Sequence, residues 1–317
     1  MQKSDSVIAV AGWEDRFALG LEKNIAERQP SRVVIVAFEE YLLNTAKNRA
    51  RVKKLAEGFN VEYREVLVRR REPAGVWKTL QELFHDGTWT AREILVDVTT
   101  MPREVIWWSL GALLEIGARV TYVYHQPQSY APEWVTRDTE SPRLVYQNSG
   151  VSELGRETCL LLISGFDSDR VAQMIQFFEP VSILIGLQVG EQFGNQQKNI
   201  ARHRQTLANS PQTKYFDVNA YGLDHGLAAI DAATVVEREK YNIVAASLGP
   251  KLSAIALFEL RRKYTNLALA YAPSRQFNAS YSSGIGEAVW GELAAELSQS
   301  LSFSQQREIK DHQALDG

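Results

Sequence analysis

The sequence predicts an α/β protein made of two tandem Rossmann-like units, each a doubly wound parallel sheet, related by internal duplication. Three observations predict it. Strand-like runs rich in Val and Ile alternate with amphipathic helical segments, the alternation runs its course twice, and the second half repeats residues of the first in the same order. Apolar strands separated by helices are what a parallel sheet covered on both faces requires.

Along the first half, strands are predicted near 6–11, 32–38, 61–67, 93–98 and 119–124, with helices near 14–28, 40–57, 74–86 and 102–116. Residues 126–150 are rich in Pro, Ser and Thr and read as a long excursion that ends in a short strand, RLVY. The second half continues with strands near 158–164, 181–188, 213–218, 241–247 and 266–271, helical patterns between them and a final helix near 286–302. The units are therefore placed at 1–150 and 151–302, and the tail 303–317, which lacks a packing face, is expected to be flexible.

Sliding one half over the other exposes the repeat. GWEDR (12–16) matches GFDSDR (165–170) with one insertion, and EYLLNTAKNRAR (40–51) matches EQFGNQQKNIAR (191–202) at an offset of 151. That register pairs Glu40 with Glu191, Asn44 with Asn195 and Asn48 with Asn199. DVTTMPREVIWWSLG (97–111) matches AASLGPKLSAIALFE (245–259) at an offset of 148, pairing Thr99 with Ser247 and Arg103 with Lys251. Fused copies of one unit commonly pack about a pseudo-twofold axis, as a homodimer does.

Composition excludes several classes. The chain has 317 residues, 45% hydrophobic and 23% charged, with a formal net charge of -3. A protein that coats duplex nucleic acid normally carries a strongly basic face, so broad duplex-DNA binding is not expected. The one cysteine, Cys159, sits in the apolar run TCLLLIS and offers neither a disulfide framework nor a thiolate metal site. No stretch reaches the roughly 18 apolar residues of a membrane span, and no signal peptide is evident, which points to a cytoplasmic setting without membrane partners. The five histidines show no metal spacing, so no metal and no cofactor is predicted. Neither G-x-G-x-x-G nor G-x-x-x-x-G-K-[ST] is present, which argues against a dinucleotide oxidoreductase and a P-loop ATPase.

In a parallel sheet, ligands bind beyond the C-terminal strand ends, where helix N-termini point. The repeated polar residues gather there. Gly12 and Arg16 follow the first strand, as Gly165 and Arg170 do in the copy; Glu40 and Asn44 follow the second, as Glu191 and Asn195 do. Thr99, Thr100 and Arg103 follow the fourth, as Ser247 and Lys251 do, and Tyr124 and Tyr271 end the fifth, with Arg275 just beyond. Thr99 and Ser247 are candidate helix caps. A basic residue beside free N–H groups at a helix start is suited to phosphate, and the acidic residues after the second strand to ribose hydroxyls. RRRE (69–72) reads as a solvated loop, Asp224–His225 as a loop or helix start, and Trp107 and Trp108 as core or inter-unit packing.

In pattern, DVTTMPR and AASLGPK resemble the phosphate-contacting turn after the fourth strand in the CARF and SAVED families of cyclic-oligonucleotide sensors. CARF units pair to form a twofold ligand site, and SAVED domains fuse two such units in one chain. The glycine-rich turn typical of these families is replaced here by TTMPR and SLGPK. The resemblance implies a nucleotide or cyclic-oligonucleotide ligand held between the two units. It further implies a prokaryotic defence setting, a separately encoded effector and the option of a homo-oligomer. Two alternatives stand beside it: a nucleotide hydrolase of the ring-nuclease kind using the same cleft, and a non-catalytic scaffold subunit.

Overall fold

The computed structural model describes residues 5–293 apart from 88, 90–91, 131–135, 166, 191–200, 202–204, 206–211 and 279–281. The first half runs β1 (Ser6–Val10), α1 (Asp15–Arg28), β2 (Arg32–Phe38), a 3-10 turn (Glu39–Tyr41), α2 (Leu42–Gly58), β3 (Glu62–Val68), α3 (Pro73–Phe84), β4 (Glu93–Asp97), α4 (Arg103–Glu115) and β5 (Arg119–His125). Three short strands follow, β6 (Ser129–Tyr130), β7 (Thr136–Thr139) and β8 (Arg143–Leu144). The second half runs β9 (Thr158–Ile163), α5 (Ser168–Phe178), β10 (Ser182–Gln188), β11 (Gln212–Val218), α6 (Leu227–Lys240), β12 (Asn242–Ser247), α7 (Leu252–Lys263) and β13 (Ala268–Tyr271). It ends in β14 (Ser274–Phe277), β15 (Ser282–Ser283) and β16 (Ala288–Leu293).

Two six-stranded sheets result. Five strands of each are parallel and run in the same order, β3-β2-β1-β4-β5 in one and β11-β10-β9-β12-β13 in the other. The α/β, twin-sheet architecture expected from the alternation is thus present. The sixth strands are exchanged. β8, which follows the first five strands, joins the second sheet antiparallel to β13, and β16, which follows the second five, joins the first sheet antiparallel to β5. The arms between them also pair across the halves, β14 with β7 and β15 with β6.

The expected final helix over 286–302 is a strand where it is described, Ala288–Leu293. Pairing decides this against local helix propensity, since β5 is otherwise an open edge and β16 matches it over six residues. Gly291 is needed there: a Cβ at that position would lie 2.1 Å from the Tyr122 hydroxyl, so only glycine lets the strand pass the ring. Residues 294–317, including the expected flexible tail, lie outside the described residues.

Burial follows the layers. One core joins α3, α4, α6 and α7 to the facing sides of both sheets, while separate cores sit under α1 and α2 and under α5. Helix α4 is buried nearly all round, as a helix between two sheets must be. Trp107 and Trp108 lie in it: the Trp107 indole N–H ties the halves together by donating to the Ala254 carbonyl at 2.8 Å, and that of Trp108 donates to the Tyr146 carbonyl at 2.9 Å. A second tie runs from the Tyr122 hydroxyl to His225 Nε2 at 2.6 Å. His225 Nδ1 faces the Ala220 carbonyl, so the tautomer with a proton on Nδ1 serves both contacts, and burial keeps the ring's pKa below its usual value. Asp224 accepts from the N–H groups of Gly226 and Ala228 at the start of α6, the helix-start role expected of it. No helix among the described residues is long and apolar enough to cross a membrane.

Candidate functional site

In each sheet the strand order reverses beside the first strand, between β1 and β4 and between β9 and β12. The turns beyond those strand ends diverge there and leave a crevice. The two crevices face one another and share a cavity of about 250 Å³. Its first-half wall includes Gly12, Trp13, Glu14 and Arg16 after β1, Tyr41 and Arg70 after β2 and β3, and Thr100, Pro102, Arg103 and Glu104 after β4. Its second-half wall includes Gly165, Asp167 and Arg170 after β9, Gln188 at the end of β10, Gly249, Pro250 and Lys251 after β12, and Tyr271 on β13.

Of the residues singled out in sequence, the cavity collects Gly12, Arg16, Thr100, Arg103, Tyr124, Gly165, Arg170, Lys251 and Tyr271. The others fall elsewhere. Thr99 is buried behind the wall, its hydroxyl accepting from the His125 N–H at 3.0 Å. It does not cap α4, because the chain turns through Met101 before the helix begins and Pro102 takes the N-cap position. Ser247 is likewise short of α7, with Lys251 at the N-cap. Glu40 caps the turn after β3, accepting from the N–H groups of Arg70 and Arg71, and Asn44 is exposed on α2. Arg275 lies on the arm, paired with Asp138 and Glu140. Glu191 and Asn195 lie outside the described residues.

Two residues passed over in sequence matter more. Asn48, one turn beyond Asn44, reaches the turn after β1 and donates to the carbonyls of Gly12 at 3.0 Å and Glu14 at 3.1 Å. It belonged to the repeated set, and its spacing of four from Asn44 was the available signal. Arg70, expected in a solvated loop, is instead folded into the cavity wall with its side chain 11% exposed, held by Glu140 at 2.5 Å and the Ser274 carbonyl at 3.3 Å. Its place at the end of β3 was the clue.

At the centre, the two basic residues cross over. Arg103 Nε donates to the Ser247 hydroxyl at 3.3 Å and its Nη2 to the Gly249 carbonyl, while Lys251 Nζ donates to the Thr99 carbonyl at 2.8 Å. Each cation thus closes the other half's turn. Around them, Arg16 bonds Glu14 at 2.6 Å and the His125 carbonyl at 3.2 Å, and Arg143 holds Glu104 in a forked pair, Nη2 donating to Oε1 at 2.8 Å and Nε to Oε2 at 3.2 Å. Burial raises the Glu14 carboxyl, but Arg16 and Lys251 outweigh it and leave it below the usual carboxylate range. Burial pushes Glu104 up to about 7 against the pull of Arg143. Burial likewise pulls Lys251 down from 10.5 to about 7; Glu14 and Asp97 favour its charge, and Arg16 and Arg103 oppose it.

The second-half floor is packed backbone to backbone. A Cβ on Gly165 would lie 2.2 Å from the Leu248 carbonyl oxygen, and one on Gly249 2.4 Å from that of Ser164. Gly165→Ala should therefore push the turns after β9 and β12 apart and cost about 1–3 kcal/mol in urea unfolding. Gly58→Ala, which meets open space, should leave stability unchanged or raised.

Two facing switch points that share a cavity are where an α/β fold commonly takes a ligand. No family model and no curated protein matches the chain. Among solved structures it is similar to a type III CRISPR defence DNA nuclease activated by cyclic oligoadenylate (TM-score 0.50, 12% identity, 80% of this chain and 63% of that one). The chain therefore spans less than two thirds of that nuclease, and the likeness is one of fold. Weaker likenesses reach a universal stress protein from Archaeoglobus fulgidus DSM 4304 (TM-score 0.27, 10% identity, 84% and 96% of the two chains) and a UDP-N-acetylglucosamine 2-epimerase (TM-score 0.26, 11% identity, 77% and 74%).

Proposed function

We propose that the chain arose by internal duplication and is a sensor or accessory protein that binds a nucleotide of the cyclic-oligonucleotide class in the shared cavity. We further propose a role in a prokaryotic defence system with a separately encoded effector. One observation carries the reading. The cavity wall gathers Arg16, Arg70, Arg103, Arg170 and Lys251 against Glu14, Glu104 and Asp167, in a protein whose net charge is -3. A cationic cavity at strand C-termini, reached from two equivalent turns, suits a ligand with several phosphates. The fold-level likeness to a nuclease activated by cyclic oligoadenylate points the same way and names the first ligands to try.

Calorimetric titration with cyclic tri-, tetra- and hexa-adenylate tests this, and its pH dependence is a sharper check. Lys251 sits near half-charge at neutrality. A phosphate beside it favours the ammonium, so binding takes up a proton, and affinity should fall above pH 7 by up to about tenfold per unit. The sign for stability is opposite: a depressed folded pKa makes the unliganded protein more stable as pH rises from about 7 towards 10.5. Lys251→Arg, charged throughout, should flatten both profiles. Affinity that does not change with pH would remove Lys251 from the phosphate contacts.

The same amine favours a second reading. A lysine that is partly neutral at pH 7 can accept a proton from a ribose hydroxyl, the first step of phosphodiester cleavage. Chromatography of the ligand after incubation decides, because a sensor returns it intact and a hydrolase does not.

A further inference from the structure

One end of the cavity differs in chemistry from its cationic centre. Trp13 from the turn after β1, Tyr41 from the turn after β2 and Phe277 from the arm strand β14 meet there. Their ring centroids lie 5.5 Å (Trp13–Tyr41), 5.4 Å (Trp13–Phe277) and 6.2 Å (Tyr41–Phe277) apart. These are not fully buried aromatics, although Tyr41 also meets the core ring of Phe38 edge to face. Trp107, Trp89 and Phe84 are no more than 1% exposed, whereas all three rings of this corner are half-buried and line the cavity.

Tyr41 meets Trp13 at 75° and Phe277 at 89°, edge to face, and Trp13 and Phe277 are tilted by 51°, so no two of these rings stack face to face. Three separate chain segments converge to make the corner, including an arm that the two halves build together. Asn278, next to Phe277, also faces the cavity and brings an amide that can both donate and accept.

An aliphatic ligand would gain little from this setting, because charged walls adjoin the corner. A planar heteroaromatic ring attached to phosphates satisfies both parts: its face lies on an aromatic side chain, its edge meets the amide and its phosphates reach the cations. We propose that the corner of Trp13, Tyr41 and Phe277 is the seat of a nucleobase, so that base stacking, besides phosphate charge, determines which ligand is held. This rests on the nucleotide reading above and adds to it a base-dependent part of the affinity.

The test separates the two. Calorimetry would compare a linear 5′-phosphorylated triadenylate with its abasic counterpart, which carries the same phosphates and sugars. The protein is expected to bind the triadenylate at least about tenfold more tightly. Trp13→Ala should abolish that preference, weakening the triadenylate more than the abasic probe, and Phe277→Leu, which keeps volume but not the ring, should reduce the preference in part. If Trp13→Ala proves unstable on melting, Trp13→Leu replaces it with the same expectation. Equal binding of both probes by the unaltered protein overturns the base seat and leaves the phosphate site standing. A loss in Trp13→Ala that is equal for both probes also overturns it, because Trp13 would then only shape the wall. Binding of neither probe overturns the base seat, and the nucleotide reading falls with it if the cyclic oligoadenylates also fail to bind.

Discussion

Replacing Arg103 and Lys251 together by alanine is expected to lower affinity for the cyclic oligoadenylate that binds best by at least about 100-fold. Hydrogen bonds to charged groups contribute about 1.5–3 kcal/mol each, and two lost together amount to about 3–6 kcal/mol. The geometry explains why the pair should act as a unit. Each residue reaches across to the opposite turn, Arg103 to Gly249 and Ser247 and Lys251 to Thr99, so both charges stand where the halves meet. Their acceptors include a hydroxyl and backbone carbonyls, which carry only partial charge, so a phosphate competes well for those donors. The alanine variant also removes hydrogen bonds that join the turns, so its stability must be measured alongside. The paired variant Arg103→Gln/Lys251→Gln keeps amide donors near those carbonyls while removing both charges. If it binds as the unaltered protein does, the charges make no phosphate contact and the reading falls.

Ten parallel strands were legible in the sequence, most of them because burial on both faces leaves a direct trace, a run of Val, Ile and Leu; the half-exposed edge strands β3 and β11 carry a weaker one, aromatic and Val residues among charged ones. The exchanged sixth strands were not. β8 is two residues long, and β16 carries Glu-Ala-Val-Trp-Gly-Glu-Leu over 287–293, whose helical reading only the open edge of β5 overrules. The candidate site divides in the same way. Residues whose place follows from strand ends alone, such as Arg16, Arg103 and Lys251, could be named in advance. The direction of a side chain on the helix or loop beyond could not. Glu40 and Asn48 sit in the same repeated segment, yet Glu40 caps a neighbouring turn and Asn48 secures the turn after β1. Arg70 illustrates the remaining limit: its burial depends on Glu140 and Ser274, which are 70 and 204 residues away in sequence.

Trp107→Ala should be among the most destabilising single changes in the protein, at about 3–5 kcal/mol in urea unfolding. Trp107 is fully buried in the core shared by both halves, and its indole N–H donates to the Ala254 carbonyl on the facing helix. Alanine would open a cavity between helices held rigidly by two sheets, where collapse is difficult. Trp107→Phe keeps most of the volume and loses the hydrogen bond, so it should cost less, about 1–2 kcal/mol. That milder variant is the more informative for function. Trp107 stands one helical turn after Arg103, and Ala254 one turn after Lys251, whose carbonyl accepts the Ala254 N–H at 2.9 Å. The indole contact therefore sets the spacing between the two helix starts that carry the cations. If the cations act together on one ligand, Trp107→Phe should weaken binding of the cyclic oligoadenylate by about tenfold although Trp107 does not itself line the cavity. If they act independently, its affinity should match that of the unaltered protein while its stability still drops.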